Sequence, residues 1–101
     1  MRKKSKPVHP GEILRKEFMI PLKLRMNRMA SDLRVPVTRI ADIIHERRGI
    51  TADTALRFAR YFRNAPVFWM NLQTRFDLEV AEDEIAAKVA RDVRPLEVPV
   101  S

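Results

Sequence analysis

The chain of 101 residues contains no cysteine and only two glycines. The lack of cysteine excludes a disulfide scaffold, a thiolate metal site and a cysteine nucleophile. The scarcity of glycine argues against glycine-rich phosphate loops and against sheets joined by tight hairpin turns. The longest apolar runs are about six residues, far short of the roughly 20 that a membrane-spanning helix needs. We therefore expect one soluble, cytoplasmic domain with no membrane partner.

Basic residues are concentrated in the first three quarters of the chain. Residues 1–75 hold 17 Lys and Arg against 6 Asp and Glu, a net charge of +11, whereas residues 76–101 hold 3 against 7, a net charge of −4. A basic body favours phosphate-bearing partners, because binding them releases counterions. The acidic run Asp77–Glu84 is suited to a basic protein partner. Solvated helix faces are the alternative for both regions.

Apolar residues recur with a helical period almost throughout, which predicts an all-α fold of five to six helices. The predicted helices cover residues 10–20, 26–33, 37–46 and 52–63, a fifth begins at residue 66, and a last one covers about residues 83–92. Gly49 is suited to a left-handed cap after the third helix, and Thr51 to the N-cap of the fourth. The predicted apolar face of the fourth helix consists of Ala55, Leu56, Ala59 and Phe62. The predicted organisation is a basic flexible arm (1–9), a helical domain with C-terminal dimerisation helices (10–94) and a tail (95–101), either loose or a short edge strand.

The segment Met26–Ile44 has the spacing of a helix-turn-helix unit. Two short helices that pack at a steep angle need a small residue where they touch, and Ala30 supplies it. Ile40 and Ile43 follow Ala30 at the offsets of buried positions in the second helix of such a unit.

The exposed face of that second helix is predicted to enter a DNA major groove. The side chains expected to contact base edges are Thr38, Arg39, Asp42 and His45. The flanking side chains expected to contact phosphates are Arg25, Arg28, Arg47 and Arg48. The alternative is a helical core whose exposed arginines bind nothing specific.

An aromatic stripe at helical spacing follows Pro66. Phe68, Trp69, Leu72 and Phe76 are predicted to form core or a dimer interface rather than a ligand pocket. His9, before Pro10, is predicted to cap or pack locally. No second histidine lies three or four residues from His9 or His45, and no serine has an activating His–Asp setting. We therefore expect no metal, no cofactor and no catalytic residue.

Four segments resemble the HigA-type antitoxins of bacterial toxin–antitoxin modules, which are λ-repressor-like helix-turn-helix regulators. The segments are His9–Leu14, Arg48–Arg57, Ala59–Phe62 and Phe68–Gln73, and the similarity extends over roughly residues 8–94. The resemblance implies a homodimer that binds an inverted-repeat operator in its own promoter and represses the operon. It also implies neutralisation of a HigB-type mRNA-cleaving toxin, by a protein that is itself no enzyme.

Three residues depart from the pattern of these regulators. Met26 stands where many have a phosphate-contacting Gln, and Arg25 stands where a Ser or Thr cap is expected. Arg34 replaces the glycine of the turn, which requires a left-handed backbone at a cost of about 1 kcal/mol, and it is suited to reach a DNA phosphate. Two alternatives therefore stay open. One is a toxin-sequestering interaction module without specific DNA binding, and the other is a free-standing regulator with no toxin.

Overall fold

A computed structural model describes residues 6–98, and the first five residues of the predicted arm and the last three of the tail lie outside that range. Within it the fold is all-helical, as predicted. Helix α1 covers Pro10–Ile13 and continues as a π-helix over Leu14–Met19, and it is followed by α2 (Met26–Leu33), α3 (Val37–Ile44), α4 (Ala52–Phe62) and α5 (Pro66–Asp92). Residues 93–98 have no regular structure, so the edge strand considered for the tail does not form there.

Trp69 of α5 lies in the core, where it packs against aromatic residues of the π-helix and of α4. The indole is fully buried, and its ring centroid lies 5.0 Å from those of Phe18 and Phe58. Its Nε1–H donates a hydrogen bond to Asn64 Oδ1 at 3.0 Å. Trp69 is therefore a core residue and is not available to a dimer interface. Of the other predicted stripe residues, Phe68 is 39% exposed at the edge of the core, and Leu72 and Phe76 are half-buried.

The apolar face of α4 differs from the predicted one by one residue. Leu56 is 61% exposed, whereas Phe58 is 1% exposed and packs against Trp69 of α5. Ala55 and Ala59 are buried, as predicted. The buried face therefore follows the i, i+3, i+4 spacing from Ala55, and Leu56 lies outside it.

Left-handed residues other than glycine end four helical segments. They are Lys23, Arg34, Glu46 and Arg63, with φ between 52° and 62°. After α3 the N–H groups of Glu46 and Arg47 donate to the carbonyls of Ile43 and Asp42, the pattern of a Schellman cap. The prediction that Gly49 caps this helix is therefore wrong, because the helix ends at Ile44 and Glu46 takes the left-handed position.

Gly49 instead makes room for a side chain of α5. A Cβ at this position would lie 2.8 Å from Gln73 Oε1. That oxygen accepts a hydrogen bond from the Ile50 N–H at 2.6 Å, and Gln73 Nε2 donates to Asp77 Oδ1 at 2.8 Å. The contact ties the loop between α3 and α4 to α5, and it joins two of the segments that carry the family resemblance.

Helix α5 is a single helix of 27 residues, so residues 83–92 continue it instead of forming a separate last helix. Neither proline nor glycine occurs between Pro66 and Pro95, so nothing interrupts the ladder of backbone hydrogen bonds. Every described residue from 82 onward is exposed, so the second half of α5 projects from the domain. Over residues 6–98 no helix is both long and apolar enough to cross a membrane.

Candidate nucleic-acid interface

Helices α2 and α3 form the predicted helix-turn-helix. Met29, Ala30 and Leu33 of α2 are buried, as are Ile40 and Ile43 of α3. The turn begins with Arg34, which adopts the left-handed backbone that the departure from glycine predicted. The expected lack of an N-terminal cap is also confirmed, because the Arg25 side chain makes no capping hydrogen bond to α2.

A close backbone contact fixes α3 against α1. A Cβ built on Gly11 would lie 1.9 Å from the Ile43 carbonyl oxygen, so only glycine fits there without movement of a helix. The Gly11 N–H donates a hydrogen bond of 2.9 Å to His9 Nδ1. Burial lowers the pKa of His9, which keeps the accepting nitrogen unprotonated, and the ring meets Phe76 edge-on at 4.8 Å. The predicted capping and packing role of His9 is confirmed.

The four residues predicted to contact bases lie along α3 and at its C-terminal end. Thr38, Asp42 and His45 follow one another at helical spacing, and Arg39 is adjacent to Thr38. Thr38 and His45 are exposed, whereas Arg39 and Asp42 are half-buried. Asp42 Oδ1 accepts hydrogen bonds from Nε and Nη2 of Arg47 at 3.2 and 3.0 Å. Among residues 6–98, Thr38 and His45 have no hydrogen-bond or ion-pair partner for their side chains, whereas Arg39 and Asp42 are ion-paired.

The arginines predicted to contact phosphates lie in the helix-turn-helix or directly beside it in the chain. All five are exposed, and they are Arg25 at the start of α2, Arg28 within it, Arg34 in the turn, and Arg47 and Arg48 after α3. Arg28 pairs with Asp32 at 3.5 Å, and Arg48 lies 3.8 Å from Asp42. Arg25 and Arg34 form no ion pair with any residue between 6 and 98.

Two residues of α4 belong to this region although the sequence analysis did not select them. Asp53 Oδ1 accepts hydrogen bonds from Arg39 Nη1 at 2.9 Å and from Arg57 Nε at 2.8 Å. These arginines lower the pKa of the Asp53 carboxyl, the hydrogen bond from Arg57 being the largest cause. The i, i+4 spacing of Asp53 and Arg57 was visible in the sequence, whereas the pairing with Arg39 depends on the packing of α3 against α4.

No family model matches the chain. Virulence-associated protein I of Dichelobacter nodosus is 44% identical over 96 residues, which cover 90% of this chain and 89% of that protein. Antitoxin HigA-1 of Vibrio cholerae serotype O1 is 32% identical over 97 residues, which cover 95% of this chain and 90% of that protein.

A solved structure shows the same fold. The antitoxin HigA of Pseudomonas aeruginosa, determined with the higBA promoter, superposes with a TM-score of 0.87 at 40% sequence identity, over 90% of this chain and 99% of that chain. Both relatives are more than 30% identical to this chain over nearly its full length, and the solved structure has the same fold. These similarities show the family. This chain belongs to the HigA-type antitoxins, which are helix-turn-helix regulators and not enzymes.

Proposed function

We propose that this protein is a sequence-specific repressor that binds its own operator as a homodimer, and that it acts in the bacterial cytoplasm as the antitoxin of a HigB-type mRNA-cleaving toxin. The observation that supports DNA binding best is the polar face of α3, together with five exposed arginines in or beside the helix-turn-helix. The related HigA of Pseudomonas aeruginosa, whose structure includes promoter DNA, supports the same assignment.

The side chains on α3 have distinct chemistry toward base edges. Arg39 uses Nη1 toward Asp53, which leaves Nε and Nη2 hydrogens for the O6 and N7 acceptors of a guanine. Asp42 accepts from a cytosine amino group once it is released from Arg47, and Thr38 is suited to a thymine methyl or to any polar edge. The five arginines position the helix on the phosphates without distinguishing sequences.

Fluorescence anisotropy separates these roles. The probes are a duplex from immediately upstream of the protein's own gene and a scrambled duplex, each at two salt concentrations. Arg39→Ala is expected to weaken operator binding by about 1–3 kcal/mol and to relax the preference at one base pair. Arg28→Ala, the matched variant at a phosphate position, is expected to weaken both duplexes alike and to flatten the salt dependence by about one unit.

Two results would contradict the assignment of Arg39 to base recognition and of Arg28 to a phosphate contact. Equal losses on both duplexes for Arg39→Ala would remove Arg39 from base recognition. Equal, strongly salt-dependent binding of both duplexes by the unaltered protein would argue for the toxin-sequestering module without specific DNA binding.

An exposed apolar stripe on the projecting half of α5 supports the homodimer. Leu78, Ile85 and Val89 are 56%, 47% and 44% exposed, and Ala81 and Ala86 lie beside them. Their spacing places them on one side of the helix, opposite the side that contains Trp69. A second copy of the stripe would cover it in an isologous contact. A two-fold pair also doubles the few base contacts of one short helix, across half-sites about one DNA turn apart.

The oligomeric state tests the stripe. Ile85→Glu is expected to give a monomer by light scattering and to abolish the two-protomer stoichiometry on the operator, because it places a charge in the centre of the contact. Ala87→Glu is the control, since Ala87 is exposed on the same half of α5 but lies about 160° around the helix from Ile85. A dimer that survives Ile85→Glu would move the interface elsewhere.

Two observations support the proposal that this protein binds a toxin. They are its membership of the HigA-type antitoxins and the acidic run in α5. A small basic protein is expected to co-purify with this chain from its native host. If none does, the free-standing regulator becomes the better description.

A further inference from the structure

A chain of hydrogen bonds connects α2, α4 and α3 through Arg57 and Asp53. The Leu33 carbonyl, at the end of α2, accepts from Arg57 Nη1 at 2.9 Å. Arg57 Nε donates to Asp53 Oδ1 at 2.8 Å, and the same oxygen accepts from Arg39 Nη1 at 2.9 Å. The guanidinium of Arg39 is thereby held relative to both helices of the helix-turn-helix.

Arg39 is more enclosed than the arginines around it. Its side chain is 27% exposed, against 76% for Arg28, 62% for Arg47 and 47% for Arg48. A side chain that is ordered in the free protein loses less conformational entropy on binding than a mobile one. Recognition of a guanine by two parallel hydrogen bonds also depends on the plane of the guanidinium, so orientation matters at Arg39 and much less at a phosphate contact.

Asp53 is at the same time unfavourable for general DNA affinity. Its side chain is 57% exposed, and the depressed pKa of its carboxyl keeps it ionised beside a surface that otherwise attracts phosphates. A carboxylate in that place repels the DNA backbone. We therefore expect Asp53 to favour binding to a preferred DNA sequence without raising the affinity for DNA in general.

We propose that Asp53 is a positioning residue that orients Arg39 for base recognition and so sets the sequence preference of α3. This inference rests on the proposed function, because it requires that Arg39 contacts a base. It adds a residue of α4 that does not itself touch DNA, with Arg57 fixing the carboxylate to the end of α2.

Removing the carboxylate should change specific and non-specific binding in opposite directions. For Asp53→Asn we expect affinity for scrambled duplex to rise, because one negative charge is lost, while the ratio of operator to scrambled affinity falls about tenfold. A purely structural role predicts a different result, in which both affinities fall together with the melting temperature.

The control is Asp32→Asn on α2. Asp32 is an acidic residue of the helix-turn-helix itself, paired with Arg28 at 3.5 Å and with the Tyr61 hydroxyl at 2.5 Å, but it makes no contact with Arg39. Its removal deletes the same charge, so affinity for both duplexes should rise while their ratio stays unchanged. A second variant, Asp53→Glu, keeps the charge and displaces the carboxylate by one methylene group. It should lower the ratio without raising scrambled-duplex affinity, even if Asp53→Asn fails to fold.

A double-mutant cycle with Arg39→Ala completes the test. If Asp53 acts through Arg39, the double variant should have the same ratio as Arg39→Ala alone. Additive losses in the cycle, or an unchanged ratio for both Asp53 variants while Arg39→Ala lowers it, would overturn the inference and leave the proposed function standing. An unchanged ratio for Arg39→Ala itself would instead refute base recognition by Arg39, and the role of Asp53 would fall with it.

Discussion

Replacing Gly11 with alanine tests the contact that fixes the recognition helix α3. Gly11 lies in α1 with a negative φ, so general helix propensity favours alanine there by about 0.5–1 kcal/mol. The structure predicts instead that alanine at this position destabilises the protein. The added Cβ would lie 1.9 Å from the Ile43 carbonyl oxygen and 2.8 Å from its carbon, and both are backbone atoms that cannot rotate away.

The size of the effect follows from the overlap. Ordinary carbon–oxygen contacts lie at about 3.3–3.6 Å, so α1 and α3 would have to separate by more than an ångström. Overpacking of this kind costs about 1–3 kcal/mol, and the upper end applies because both helices contribute buried residues on either side of the contact. At about 4–8 °C per kcal/mol for a domain of this size, the melting temperature should fall by about 12–24 °C.

Thermal unfolding followed by far-ultraviolet circular dichroism measures the change. Gly49→Ala is the matched control, because its Cβ would meet only the end of the Gln73 side chain, at 2.8 Å. Loss of the Gln73 hydrogen bond to Ile50 should then cost about 1 kcal/mol. A Gly11→Ala variant that melts at or above the temperature of the unaltered protein would refute the described packing of α1 on α3.

Two further predictions concern His9 and the left-handed caps. Because burial lowers the pKa of His9 below its usual 6.5, the unfolded chain takes up the proton first, so the protein should lose stability as the pH falls below about 6.5. His9→Asn keeps a capping residue without a titrating ring, so its melting temperature should fall less between about pH 7.5 and 5.5; an equal fall in both proteins would refute this role. Arg34→Gly and Arg63→Gly should each stabilise the fold by up to about 1 kcal/mol, because both positions are left-handed. Only Arg34→Gly should also weaken DNA binding and flatten its salt dependence, and an equal effect of Arg63→Gly would argue against a phosphate contact at Arg34.

The helix-turn-helix could be predicted from sequence because its signal is local. Ala30, Ile40 and Ile43 lie at fixed offsets within one short segment, and all three are buried. The left-handed backbone at Arg34 was expected from the resemblance, because the related regulators have a glycine at that position of the turn. The capping role of His9 was likewise apparent from its place before Pro10.

The remaining features depend on contacts between distant residues. Gly49 looked like a helix cap, but Gln73 from α5 occupies the space above it, and Glu46 takes the left-handed position instead. The Arg39–Asp53 pair joins residues of two helices, and no periodicity within either helix indicates it. The continuity of α5 could have been predicted from the sequence. The acidic run contains no proline or glycine, and charged residues alone do not end a helix.

Because α5 is one unbroken helix, the angle about its axis between the buried Trp69 side and the exposed apolar stripe is fixed. Trp69 anchors one end of the helix in the core, and Leu78, Ile85 and Val89 lie along the other. One residue inserted between them would turn the stripe by about 100° and advance it by about 1.5 Å, whereas four inserted residues would turn it by only about 40° beyond a full rotation. In the proposed dimer, the separation and relative angle of the two recognition helices would therefore vary periodically with the length of α5, with a period close to one helical turn.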